Sequence, residues 1–315
     1  MSKPILVGYD PRQADDAPVE FGAAVARSTG APLIVVTVEG GHRRHDHKTG
    51  HIDDDLAAEG AGAAGPVESR LKDAGVAAEF RCLQSTSAAR ALHEAAEESG
   101  AALLVVGGSR RSAVGRAVVG STGVRLLHGA PCPVAVAPRG WKPKGGLETV
   151  GVAYVDSDEG REALRSAHAL AGRAGGKLKV FTVVKTTPST HLETDARQAS
   201  WQHERKDMID VEGGHLVMAE EHLRDVIADL GGDVEAEAFN GHPADEIVRL
   251  SGLVDLMVVG SRGYGPRRAV LLGSVSRRLM DEAASPTIVL PRGVEGALEP
   301  LLSESGSVGA TAANG

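Results

Sequence analysis

The chain predicts an α/β protein made of two doubly wound, parallel five-stranded sheets in tandem. Three observations carry this. Short apolar runs alternate with amphipathic stretches of helical period along most of the sequence. Aromatic residues make up only 3% of the 315 residues. The cores must therefore be built from Ala, Val and Leu, which suits buried parallel strands under Ala-rich helices. Finally, the pattern written by residues 1–138 starts again at residue 148.

Composition narrows the classes of function. A hydrophobic content of 42% is ordinary for a globular protein. A net charge of −8 argues against nucleic acid as a partner of the whole chain. Cys82 and Cys132 lie far apart in no zinc-ligand spacing and read as buried thiols of a reducing cytoplasm. Met1 to Pro4 lead straight into a strand and do not read as a signal peptide. No apolar run approaches the roughly 18–20 residues of a membrane span. The expectation is a cytoplasmic chain with neither a nucleic-acid nor a membrane partner.

The elements of the first half follow in order. Ile5–Tyr9 is a buried strand with Asp10 at its carboxyl end. Residues 18–28 turn Val19, Ala23, Ala24 and Ala26 to one face, and Gly30 closes that helix. Leu33–Val38 is the next strand, which completes a βαβ unit. Residues 40–66 break the pattern. Here His42, His45, His47 and His51 precede Asp53, Asp54 and Asp55. These are metal-ligand types, but the glycine-rich backbone fixes no geometry for them, and a solvated loop accounts for them better. A helix resumes near Val67–Asp73, then a strand at Ala77–Leu83, then a helix at Ser87–Ser99 with Ser87 as its N-cap. Ala101–Gly107 is an apolar strand. The turn at Gly120-Ser121 opens a helix over about 122–128, and Pro133–Ala137 closes the half.

Pro138–Glu148 is rich in Pro, Gly and Lys and reads as a linker. After it, Thr149–Val155 with Asp156 repeats Ile5–Tyr9 with Asp10, and Leu178–Val183 repeats Leu33–Val38. Leu256–Gly260 repeats Leu103–Gly107, Gly273-Ser274 repeats Gly120-Ser121, and Ser285-Pro286 repeats Cys132-Pro133. Between them lie a helix over Glu159–Gly172, a loop over 186–205 holding Trp201, and a helix striped by Leu216, Leu223 and Ile227. A strand at Val234–Phe239 and a helix opened by Pro243 follow. Two long copies are two domains, 1–138 and 148–292, and the Gly/Ala/Ser-rich tail 293–315 reads as disordered. The closing strands Pro133–Ala137 and Thr287–Leu290 are sheet edges, expected to pair the domains as a pseudo-dimer. A further homodimer is left open.

Ligands of doubly wound sheets sit at the carboxyl ends of the strands. There the second half carries Gly260-x2-Gly263-x9-Gly273-Ser274. Glycines let backbone approach a phosphate closely. Ser274 is placed to cap the following helix, whose N-terminus favours anions. Arg262, Arg267 and Arg268 add positive charge. The spacing is no Walker A loop, and a glycine loop after the fourth strand is no dinucleotide fingerprint.

This glycine spacing after Val258-Val259, the Asp after the first strand and the closing Ser285–Leu290 strand together resemble the universal stress protein family. The resemblance covers residues 2–138 and 148–292. It implies an adenine nucleotide alpha hydrolase-like fold that binds ATP, with Mg²⁺ as a candidate companion. The loop would lie on the phosphates and the Asp near the adenosine. Carried over by position, it implicates Asp156, Val183, Val259, Gly260, Arg262, Gly263, Gly273, Ser274 and Val275. In the first half it implicates Asp10, Val38, Gly107, Gly120 and Ser121. The first half departs from the pattern: Arg110, or Arg111 in the alternative register, stands at the loop's second glycine. If that position needs positive φ, an Arg there costs about 1 kcal/mol or more. The second half is thus expected to bind ATP, while the first is left open.

No general base and no Asp/Glu pair suited to Mg²⁺ chemistry sits beside the loop. The expected role is a nucleotide-dependent sensor or regulator of the stress response, with slow hydrolysis at most. One alternative is an interaction scaffold with vestigial nucleotide sites. The other is a nucleotidyl-transferring or pyrophosphatase enzyme, which would want a Ser-Gly-Gly-x-Asp-Ser loop where Asp10-Pro11-Arg12 and Asp156-Ser157-Asp158 stand.

Overall fold

The computed structural model describes residues 2–40, 65–108, 121–127, 129–185, 201–261 and 273–302. In the first half the strands are β1 (Ile5–Tyr9), β2 (Leu33–Glu39), β3 (Ala78–Gln84), β4 (Leu103–Gly107) and β5 (Val134–Ala137). The helices are α1 (Ala17–Thr29), α2 (65–73), α3 (Ala88–Ser99) and α4 (Ser121–Leu127). The second half has β6 (Thr149–Ala153), β7 (Lys177–Lys185), β8 (Val234–Gly241), β9 (Leu256–Val259) and β10 (Thr287–Val289). Its helices are α5 (Asp158–Ala174), α6 (Trp201–Ile227), α7 (Pro243–Ser251), α8 (Ser274–Glu282) and α9 (Glu299–Leu302).

Local chemistry sets the helix ends. The Ser87 and Ser157 hydroxyls accept from Arg90 N and Gly160 N and so cap α3 and α5. The left-handed glycines Gly30 and Gly175, at φ 73° and 68°, end α1 and α5 at matching places.

The strands form one ten-stranded sheet in the order β3-β2-β1-β4-β5-β10-β9-β6-β7-β8. Pairing is parallel within each half. At the centre β5 and β10 run antiparallel, with Thr287 opposite Val136, Ile288 opposite Ala135 and Val289 opposite Val134. Each face of the sheet carries one apolar layer that draws on both halves. One layer joins Ile5, Val7 and Phe21 to Val150, Val152 and Leu170. The other joins Leu6, Val36 and Leu92 to Phe181, Ile247 and Met257. Helices α1 and α5 meet across the junction, where Arg173 donates to the carbonyl of Thr29 at 3.2 Å.

Cys132 is buried, but Cys82 is exposed and not the buried thiol expected, because it lies on the edge strand β3, which faces solvent in part. Four further expectations need correction. First, β6 ends at Ala153, so Val155 and Asp156 lie beyond it in the connection to α5. Second, Trp201 opens α6 instead of lying in a loop. Third, Ser274 is the first residue of α8 and not its cap: Gly273 takes that place, with no side-chain hydrogen bond. Fourth, residues 293–302 are packed. Leu298 and Leu301 are fully buried, Lys3 N donates to Pro300 O at 2.9 Å, and Ala297 N donates to the Glu162 carboxylate at 3.1 Å. Two leucines meeting a waiting apolar surface outweigh the Gly/Ala composition around them. Residues 303–315 lie outside the described residues. The linker is also ordered: Trp141 stands edge-on to Phe21 at 5.8 Å, and Leu147 is buried. Among the described residues, no helix is long and apolar enough to cross a membrane.

Candidate functional site

In both halves the chain leaves the sheet in opposite directions after the first and fourth strands, so a crevice opens at their carboxyl ends. In the first half it is a cavity of about 330 Å³. Its floor is apolar and comes from Gly8, Val36, Val106 and Leu92, which ends of β1, β2 and β4 and the face of α3 bring together. A Cβ on Gly8 would stand 2.7 Å from Leu92 Cδ1, the end of a side chain that would then have to shift. A Cβ on Gly107 would be in contact with Pro18 Cγ at 3.4 Å and Cδ at 3.5 Å, with the Asp15 carboxylate at 4.0 Å.

The rim is polar. Asp10 lines the cavity. Its carboxylate accepts from Arg12 N at 3.1 Å, Arg12 Nε at 3.0 Å and Gln13 Nε2 at 3.2 Å. Burial alone would raise the pKa of this carboxyl, but the Arg12 and Gln13 hydrogen bonds and the Arg12 charge outweigh burial and hold it below its usual value. Asp15, also at the rim, accepts from Ala17 N at 3.3 Å and from Gly140 N of the linker at 3.0 Å. Of the first-half candidates, Asp10, Val38 and Gly107 therefore line one cavity, with Thr122 and Gly123 of α4 on its far side. Ser121 opens α4; Gly120, Arg110 and Arg111 lie outside the described residues.

The second half is arranged differently. Val259 is buried at the end of β9 and Val183 is half-buried on β7 across β6. A Cβ on Gly260 would stand 2.8 Å from the Glu159 carbonyl oxygen, because the first turn of α5 sits directly over it. Ser276 Oγ donates to the Gly260 carbonyl at 3.1 Å. Val275 packs against the apolar layer below, and Ser274 is exposed. Asp156 stands in the turn between β6 and α5. It pairs with Arg161 of α5, lies 3.8 Å from His222 of α6, and accepts from the Tyr154 hydroxyl at 3.4 Å. Ser261 Oγ is buried with no hydrogen-bond partner among the described residues. Arg262, Gly263, Arg267 and Arg268 lie outside the described residues, as do His42–Asp55.

The family model for the universal stress protein family matches residues 1–138 and again 146–291. The chain belongs to the universal stress protein family. A universal stress protein of Mycobacterium tuberculosis is 24% identical over 301 residues, spanning 91% of this chain and 99% of its own length. One from Mycolicibacterium smegmatis is 33% identical over 138 residues, 44% of this chain and 99% of its own. Among solved structures, a universal stress protein from Archaeoglobus fulgidus shares the fold at a TM-score of 0.64 and 20% identity, covering 93% of this chain and 100% of its own.

In this member of the family the crevice also uses residues that sequence reasoning passed over. Gly8 looked like one more strand residue, yet it makes the floor. Arg12, Gln13 and Asp15 follow the strand and carried a signal: a Pro11 turn just after Asp10 brings their polar groups back to the rim. Leu92, on the buried face of α3, serves both the apolar layer and the cavity floor. Ser276 had no signal beyond its position in the first turn of α8.

Proposed function

We propose that the chain is an adenine-nucleotide-binding regulator of the stress response, that it holds ATP in the first-half crevice, and that it acts by binding rather than by turnover. The observation that carries this is the cavity bounded by Gly8, Asp10, Val38 and Gly107. Its volume lies at the lower end of the range of small-molecule sites. The ligand chemistry suits it. The apolar floor takes a flat base. The Asp10 carboxylate, kept ionised by Arg12 and Gln13, accepts from ribose hydroxyls. Gly107, without a side chain, brings bare backbone to the cavity wall beside Pro18 and the Asp15 carboxylate, where phosphate oxygens accompanied by Mg²⁺ would sit. The antiparallel β5–β10 junction supports the reading of the two halves as a pseudo-dimer. A cytoplasmic setting belongs to the same reading, since the buried Cys132 is a free thiol.

A second reading, an interaction scaffold with vestigial sites, draws on the second half, where the α5 backbone covers Gly260. The two readings separate on nucleotide released from the purified protein and on thermal melting with ATP. The regulator carries nucleotide or gains melting temperature with ATP, and Val38→Asp abolishes both. A wild-type chain that shows neither leaves the scaffold.

A further inference from the structure

The second half has the better glycine spacing, yet among its described residues Asp156 is not placed as Asp10 is in the first half. The ladders fix the equivalence. Ile5 stands opposite Leu33 and Leu103, and Val150 stands opposite Leu178 and Leu256. Counting along these registers, Gly8 matches Ala153, Tyr9 matches Tyr154, and Asp10 matches Val155. Asp156 comes one residue later. The strand has ended by then, and Asp156 stands in the turn that leads into α5.

The hydrogen bonds agree with this count. In the first half the Tyr9 hydroxyl donates to Asp16 at 3.0 Å, and Arg70 of α2 pairs with Asp16 at 2.7 Å. In the second half the Tyr154 hydroxyl donates to Asp156, which Arg161 and His222 flank. Asp156 thus does the work of Asp16, fixing the strand-end tyrosine against the helices, and not that of Asp10. Val155, in the position of Asp10, is 68% exposed. Two further differences point the same way. Helix α5 puts its Glu159 carbonyl oxygen 2.8 Å from a Cβ on Gly260, whereas at the counterpart Gly107 the nearest atom is Pro18 Cγ of α1 at 3.4 Å. Phe181 and Phe239, in ring contact at 6.2 Å, stand where the first half has Val36 and Leu83.

We infer that the one-residue offset between Asp10 and Asp156 decides which half holds the nucleoside: the chain takes one adenine nucleotide, in the first half, and Asp156 is a structural partner of Tyr154. This rests on the nucleotide reading above. The test is equilibrium dialysis of the whole chain against ATP. The wild type is expected to hold one ATP per chain. Asp10→Asn and Val38→Asp should weaken binding by about tenfold or more, while Asp156→Asn and Val183→Asp leave it unchanged. Asp156→Asn could loosen Tyr154, so Val183→Asp repeats the test without touching that network. Two ATP per chain, or loss of binding in Val183→Asp with an unchanged melting temperature, would overturn the inference and leave the nucleotide reading standing. No binding by the wild type would end that reading, and the inference with it.

Discussion

Asp10 and Asp156 look alike in the sequence, each an Asp after a short apolar strand, and the structure gives them opposite work. Asp10 faces a cavity and is held by Arg12 and Gln13; Asp156 faces two helices. The difference was illegible because a strand's last residue cannot be read from an apolar run: β6 stops at Ala153, and the offset follows from that. Asp10 also sets a dependence on pH. Its folded-state pKa lies below its unfolded value of 3.8. A depressed carboxyl contributes stability above the unfolded pKa and loses it as pH falls through the folded one. Acid unfolding curves of the wild type and Asp10→Asn should therefore differ above pH 3.8 and converge below it. Curves that stay parallel down through the acid range would show that Asp10 carries no such linkage. Tyr9 titrates in the other sense. Burial first, then the hydrogen bond to Asp16, raise its pKa to about 12. Its contribution is present below the unfolded value of 10.0 and is lost as pH rises through about 12. Ultraviolet titration of the folded chain should show one tyrosine that resists ionisation until then, and Asp16→Asn should bring it down. A Tyr9 that ionises near 10 in the wild type would contradict the geometry.

At the level of elements, the parallel strands were legible because buried strands are continuous apolar runs, and the helix ends because Ser87, Gly30 and Gly175 are strong punctuation. The segment 293–302 was not. Its leucines have no periodicity of their own, and only the surface they meet makes them core. Glu162 holds that surface. It is buried, and it accepts from Ser166 at 3.0 Å, from Ala297 N at 3.1 Å and from Arg165 at 2.8 Å. Leu298 and Leu301 are fully buried beside it. Leu298→Ala or Leu301→Ala should each cost about 2–5 kcal/mol in urea unfolding. A loss under about 1 kcal/mol would mean that the segment is not seated in the core.

Across the whole molecule, the repeat was legible, and so were the two closing strands as edges that could pair. The antiparallel register of their ladder and the apolar layers shared by both halves were not, because they depend on surfaces that meet only in space. The β5–β10 ladder and the two apolar layers that run through both halves bind the copies into one cooperative body. Calorimetry should find a single unfolding transition whose calorimetric and van't Hoff enthalpies agree. Two resolved transitions would show that the halves melt apart. The pseudo-symmetry also poses the central question of function, because the described cavity lies in one half and the better glycine spacing in the other. Photolabelling of the whole chain with an 8-azido adenine nucleotide, followed by mapping of the modified peptides, addresses it most directly. We expect the label on the segments around Ile5–Gln13 and Leu33–Val38, competed away by ATP. Label on Thr149–Ser157 or Leu178–Val183 instead would contradict the account.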